Sequence, residues 1–135
     1  MKAEDVILEF QNKEAYDLCC SESIFYASSK YYDLNFDEHT YKVAAAFCGG
    51  NLVEDTCGLL TASIAIIAVI FAENNSHNSP LMKEYIMEFT EVFEDNFSSK
   101  NCRVLKELYR DDFRGCKGII VDCFVKLTEF IDSKL

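Results

Sequence analysis

Sixteen consecutive residues, Cys57 to Ala72 (CGLLTASIAIIAVIFA), carry no charged side chain, and they constrain the fold more than any other stretch. On a helix of 3.6 residues per turn, Leu59, Leu60, Ile64, Ile66, Ile67, Val69, Ile70 and Phe71 reach every side, so the helix must be buried by its neighbours. Ala62, Ser63, Ala65, Ala68 and Ala72 let those neighbours come close. A membrane span needs roughly 20 apolar residues. This run is shorter and includes Thr61 and Ser63, so it reads as the central helix of a globular core.

The remainder has to supply a shell around that helix. A chain of 135 residues is one domain, residues 1–135, and buries about two thirds of its unfolded surface. Half of it is hydrophobic, with one proline (Pro80) and five glycines, a composition suited to helices. Net charge is −10, and the acidic excess lies in the first three quarters: residues 1–56 hold four basic and eleven acidic side chains, residues 101–135 seven and six. That balance argues against a nucleic-acid partner and against an anionic membrane surface, since phosphate binding is carried by Lys and Arg.

Helical spacing then organises the chain. Val6, Ile7 and Phe10 form the apolar side of a short first helix that should lie against the central one. Asp17 is the expected cap of a second helix carrying Cys20, Ile24, Ala27 and Tyr31. Asn35 with Glu38 suggests a capping box for a third, through Tyr41, Val43, Ala44 and Phe47 to Gly49-Gly50. Asp55 or Thr56 should cap the central helix. Ser79-Pro80 opens a fifth helix to about Phe97, with Leu81, Met82, Tyr85, Ile86, Phe89, Val92 and Phe93 inward. Ser98 or Ser99 caps a sixth with Cys102, Leu105 and Leu108 inside, and a last one begins near Cys116 with Ile120, Cys123, Phe124, Leu127 and Ile131 on one face. No run alternates long enough for a strand. The expected fold is all-α, a single-domain bundle of about six to seven helices around the buried helix at about 57–72.

The chemistry lies in the cysteines, of which there are seven. The amino terminus, MKAEDVILEFQ, has no long apolar run and is not a secretory signal, which points to the cytoplasm. Thiols stay reduced there, and many cysteines then signal metal binding or redox chemistry. On the helical map Cys20, Cys57, Cys102 and Cys116 each fall in or just before the first turn of a helix. Unpaired amides and the helix dipole favour negative charge at that place, which lowers a thiol's pKa and promotes the thiolate. Arg103, Arg110, Arg114 and Lys117 flank two of the four and should act in the same sense.

The order Cys20-Ser21-Glu22-Ser23, Phe47 with Gly49-Gly50, Thr56-Cys57-Gly58 with Thr61, Asn101-Cys102-Arg103 with Leu105, then Cys116, resembles the C_GCAxxG_C_C family of small redox-active helical proteins. The resemblance runs from about residue 13 to residue 130 and includes all four family cysteines. It implies redox activity through a four-thiolate iron–sulfur centre held by Cys20, Cys57, Cys102 and Cys116. This chain departs from the family segment at Leu59 and Ala62, has Cys19 where the family has Asn, and adds Cys48 and Cys123.

Three readings of the quartet follow. The first is an iron–sulfur cluster, most simply of the two-iron type, for electron transfer to a redox partner or for sensing; zinc on the same sulfurs is its structural variant. The second is a metal-free thiol–disulfide oxidoreductase cycling Cys57 with a partner such as Cys20. The third is a helical interaction module, a homodimer through the alanine-rich helix, whose cysteines are packing. Cys123 reads as core, Cys48 as core or site, and Cys19, about 100° from Cys20 around the helix, as solvent-side or resolving. His39 and His77 read as solvated, Asp111-Asp112 and Glu54-Asp55 as loop carboxylates, and Glu22 as a helix-dipole partner, with support of the Cys20 site as its alternative.

Overall fold

The structure is a computed structural model and describes residues 1–111 and 115–135. Among them are seven α-helices and no strand: α1 Ala3–Phe10, α2 Cys20–Tyr32, α3 Glu38–Ala45, α4 Gly58–Phe71, α5 Pro80–Phe97, α6 Cys102–Tyr109 and α7 Lys117–Lys134. The expected all-α, single-domain architecture is thus the observed one. No helix among the described residues is long and apolar enough to cross a membrane.

Helix α4 is the centre, packed between α2, α5 and α7. Leu59, Leu60, Ala62, Ser63, Ile66 and Ile67 are buried, each large apolar side chain contributing about 1.5–3 kcal/mol by leaving water. Burial fades toward the carboxyl end, where Val69 is 49% exposed. The small residues serve close approach as their type suggests: Ser63 Oγ lies 3.6 Å from Cys123 Sγ of α7, both groups fully buried. Phe89 and Phe93 of α5 and Phe124 and Leu127 of α7 complete the core.

Several expected faces are modified by their neighbours. Helix α1 packs on α2 and α7 rather than on α4, and its Val6, Ile7 and Phe10 are the buried residues. Leu81, Leu108 and Val43 are exposed: Leu81 lies next to the buried Met82 on the outer side of α5, and the eight-residue helices α6 and α3 offer little surface for cover. Helix caps sit closer to the helices than expected: Asp37 caps α3 by accepting from the Thr40 amide at 2.9 Å, and Asn101 caps α6 by accepting from Val104 at 3.2 Å. Cys19, not Asp17, is the cap residue of α2, and Cys57, not Asp55 or Thr56, that of α4. Ser79 precedes Pro80 as expected, but its hydroxyl turns away from α5 to receive the Glu73 and Asn74 amides at 3.1 and 3.0 Å.

Between α3 and α4 the chain makes a π-helical turn, Gly50–Glu54, with left-handed backbone at Gly49, Gly50, Asn51, Leu52 and Glu54. This turn packs on α6 and carries the chain back to the start of α4.

Candidate functional site

Two residues of backbone pairing fix the first pair of cysteines. Thr56 and Asn101 face each other in an antiparallel bridge. The Cys57 amide donates to the Lys100 carbonyl at 2.7 Å, and the Cys102 amide to the Asp55 carbonyl at 2.6 Å. Residues facing in this pattern have Cα atoms about 4.5 Å apart. The bridge therefore holds the amino-terminal ends of α4 and α6 side by side, with Cys57 as the cap residue of one and Cys102 as the first residue of the other.

Close packing brings in Cys20, the first residue of α2. Gly58 leaves the space its sulfur occupies: a Cβ there would fall 3.0 Å from Cys20 Sγ and 2.5 Å from the Phe47 carbonyl oxygen. Cys116 caps α7. It follows Gly115, which exchanges two backbone hydrogen bonds with Asp111 at 3.0 and 2.9 Å and so returns the chain toward α6. All four cysteines predicted at helix starts are at helix starts.

The four line one cavity of about 290 Å³, and all four are free thiols. Leu18, Leu59, Leu105, Ile119 and Ile120 form its apolar wall. Lys13, Lys106, Arg110 and Lys117 stand around it, and no carboxylate is among the described residues that line it. A cationic cavity on a chain of net charge −10 is a local inversion that composition conceals. Arg103 points outward from α6 and is exposed. Arg114, expected to flank the site, and Asp112 lie outside the described residues.

The expectation of lowered thiol pKa values is overturned at Cys20, Cys57 and Cys102. Burial pushes the Cys57 thiol up to about 12, against the pull of the Leu59 and Leu60 amides, and a charge on Cys20 or Cys102 would raise it further. Cys20 is raised by burial, opposed by the amides of Gly49 and Ser21, with Cys116 and Cys102 acting upward. Cys102 is raised by burial too; Lys106 lowers it and Glu54, which pairs with Lys106 at 3.7 Å, raises it. Cys57 and Cys102 are only 6% and 7% exposed, so lost hydration outweighs the helix ends.

A fifth cysteine, Cys19, lines the same cavity and is bonded to Cys48 as a disulfide, with Cα atoms 5.9 Å apart. The one disulfide among the described residues thus excludes Cys57 and joins two residues outside the family quartet. Cys48, read as core or site, is half-buried and does not itself line the cavity, and Cys19, read as solvent-side or resolving, is half-buried and pairs with Cys48 rather than with a cysteine of the quartet. Cys123 is fully buried core, as read from its helix face. His39 and His77 are exposed. Missed in the sequence were Lys13, which comes from the distant amino-terminal segment, and the Thr56–Asn101 bridge, which leaves no periodic signature in two residues.

The family described as "Putative redox-active protein (C_GCAxxG_C_C)" matches residues 18–130. The chain belongs to this family. As a C_GCAxxG_C_C protein it carries the family's four cysteines in one cavity, with Leu59 in the cavity wall and Ala62 buried behind it at the positions where it departs from the family segment. No curated protein and no solved structure matches it.

Proposed function

We propose that Cys20, Cys57, Cys102 and Cys116 hold an iron–sulfur cluster, most simply of the two-iron type, and that the protein serves electron transfer or redox sensing. One observation carries the reading: four unpaired thiols from four separate helix starts line the same cavity.

The donor set suits such a group. Thiolates are the usual ligands of iron–sulfur clusters, and four suffice for a two-iron centre. A metal would displace the protons that burial keeps on these thiols, so uptake should strengthen as pH rises. The amides of Leu59 and Leu60 at Cys57, and of Gly49 and Ser21 at Cys20, lie where they favour negative charge on sulfur. Lys13, Lys106, Arg110 and Lys117 offset the charge that remains, and Cys57 and Cys102 are buried beside the apolar wall. When bound, the cluster would supply one-electron transfer at a potential tuned by these amides, charges and degree of burial. Five free thiols against one disulfide suit a reducing compartment, and a cytoplasmic setting is part of this proposal.

Protein purified without oxygen tests it. The expected result is a brown preparation with two iron and two sulfide per chain and visible absorption that fades in air. Cys57→Ser should abolish the colour. A colourless protein with one zinc per chain would make the site structural. Colourless, metal-free protein with two fast-reacting thiols would replace the proposal with thiol–disulfide exchange.

A further inference from the structure

A second set of ligand atoms lies beside the four-cysteine cavity. Cys19, Glu22 and Cys48 place one ligand atom each within 4.8 Å of one another, and all three residues are half-buried. Local geometry brings them there. Cys19 caps α2, and Glu22, three residues on, folds back so that its Oε1 accepts from the Cys19 amide at 3.1 Å. Cys48 arrives from the turn after α3, its sulfur 3.9 Å from the same Oε1. Ser21 Oγ, 3.2 and 3.6 Å from the two sulfurs, donates to the Ala44 carbonyl at 2.7 Å and so ties the starts of both segments together.

We propose that Cys19, Glu22 and Cys48 form a redox-gated metal site, closed as the disulfide and, once reduced, binding one thiophilic divalent ion such as zinc. A disulfide has no S–H to donate and gains nothing from a carboxylate at its side. Two thiols beside a carboxylate, in contrast, ionise together only when a cation offsets three negative charges. Two sulfurs and one oxygen make three protein ligands, and tetrahedral zinc takes water as the fourth.

The chemistry balances with a dithiol as reductant. The dithiol gives two electrons and two protons; the Cys19–Cys48 bond breaks to two thiols while the reductant's own sulfurs pair. Ion binding then releases the two protons to solvent. Hydrogen peroxide reverses the cycle: it takes two electrons from the two thiolates and two protons from solvent and leaves as two waters, the sulfur–sulfur bond re-forms, and the ion departs. The site shares backbone with the larger cavity, since Cys19 precedes Cys20 and Cys48 precedes Gly49, whose amide acts on the Cys20 thiol. Of its three ligands only Cys19 also lines the larger cavity.

Cobalt(II) titration of the full chain tests the proposal, comparing protein with the disulfide intact and after selective reduction, with thiol state checked by peptide mapping. The reduced form should take one more ion per chain, with a sulfur-to-cobalt charge-transfer band of two-thiolate intensity. Peroxide should release it. Glu22→Gln keeps an acceptor for the Cys19 amide and should weaken binding of that ion at least tenfold. Cys48→Ser should remove it without altering uptake at Cys20, Cys57, Cys102 and Cys116. Cys57→Ser should do the reverse, which separates this site from the iron–sulfur proposal. Equal uptake by the oxidised and reduced wild-type protein would overturn it, and so would an added ion that survives Cys48→Ser or is lost in Cys57→Ser.

Discussion

Gly50 lies so close to Cys102 that a Cβ built on it would fall 2.6 Å from the Cβ of Cys102. The same atom would meet the Asp55 amide nitrogen at 2.6 Å, and Gly50 has φ of +63°. Asp55 is the residue whose carbonyl receives the Cys102 amide, so this one position supports the alignment of the two cysteine-bearing helices.

Gly50→Ala should therefore cost stability twice, through the left-handed backbone and through the clash, by about 3 kcal/mol in all. Urea unfolding checks the magnitude. Gly118→Ala, where a Cβ meets open space in α7, should bring no loss. Equal stabilities for Gly50→Ala and wild type would mean that the turn is free to move away from α6.

The metal-free, reduced protein should lose stability in alkali. Burial raises the Cys57 pKa from an ordinary value of 9.0 to about 12, so the folded state favours the neutral thiol. A raised folded-state pKa gives stability that is complete below the unfolded value and is lost as pH climbs toward the folded one. The window is pH 9 to 12, with a slope of about 1.4 kcal/mol per pH unit for this proton. Cys20 and Cys102 shift in the same direction and steepen it. Cys57→Ala should flatten the profile of denaturant midpoint against pH.

Cys123→Ala should leave metal content unchanged. Its sulfur is fully buried against Ser63 of α4 and does not line the cavity. The substitution opens a small void and should cost on the order of 1 kcal/mol. Metal analysis beside thermal unfolding separates the two effects, and a fall in bound metal would bring Cys123 into the site.

Ser28 carries a buried hydroxyl with no hydrogen-bond partner. Removing an unpaired polar group from the interior relieves its desolvation cost. Ser28→Ala should raise stability by about 1 kcal/mol, seen as a higher urea midpoint at unchanged slope. A lower midpoint would show that the hydroxyl is satisfied in solution.

Local and periodic features were legible before any coordinates. The uncharged run at 57–72 required a central helix, the Ser79-Pro80 start opened α5, and the spacing of Ile120, Cys123, Phe124, Leu127 and Ile131 identified the face of α7 that is buried. The placement of four cysteines at helix starts also followed, because caps, glycines and apolar spacing mark where helices begin. The family resemblance singled out the same four from seven.

What depends on pairs far apart in the chain was not legible. Asp55 and Cys102 are separated by a whole helix hairpin, and only folding shows that they share a hydrogen bond. The sign of the thiol pKa shift was misjudged for the same reason: helix ends can be read from a sequence, but the depth of burial that overcomes them cannot. The Cys19–Cys48 disulfide and the gathering of Lys13 with Lys106 and Lys117 belong to this class. By itself, then, the sequence determined the helices, the central core and the stock of thiols, since each rests on neighbours within a few turns. Only the tertiary structure decided which thiols meet, which pair and how dry they are, because those properties arise from contacts that chain order does not encode.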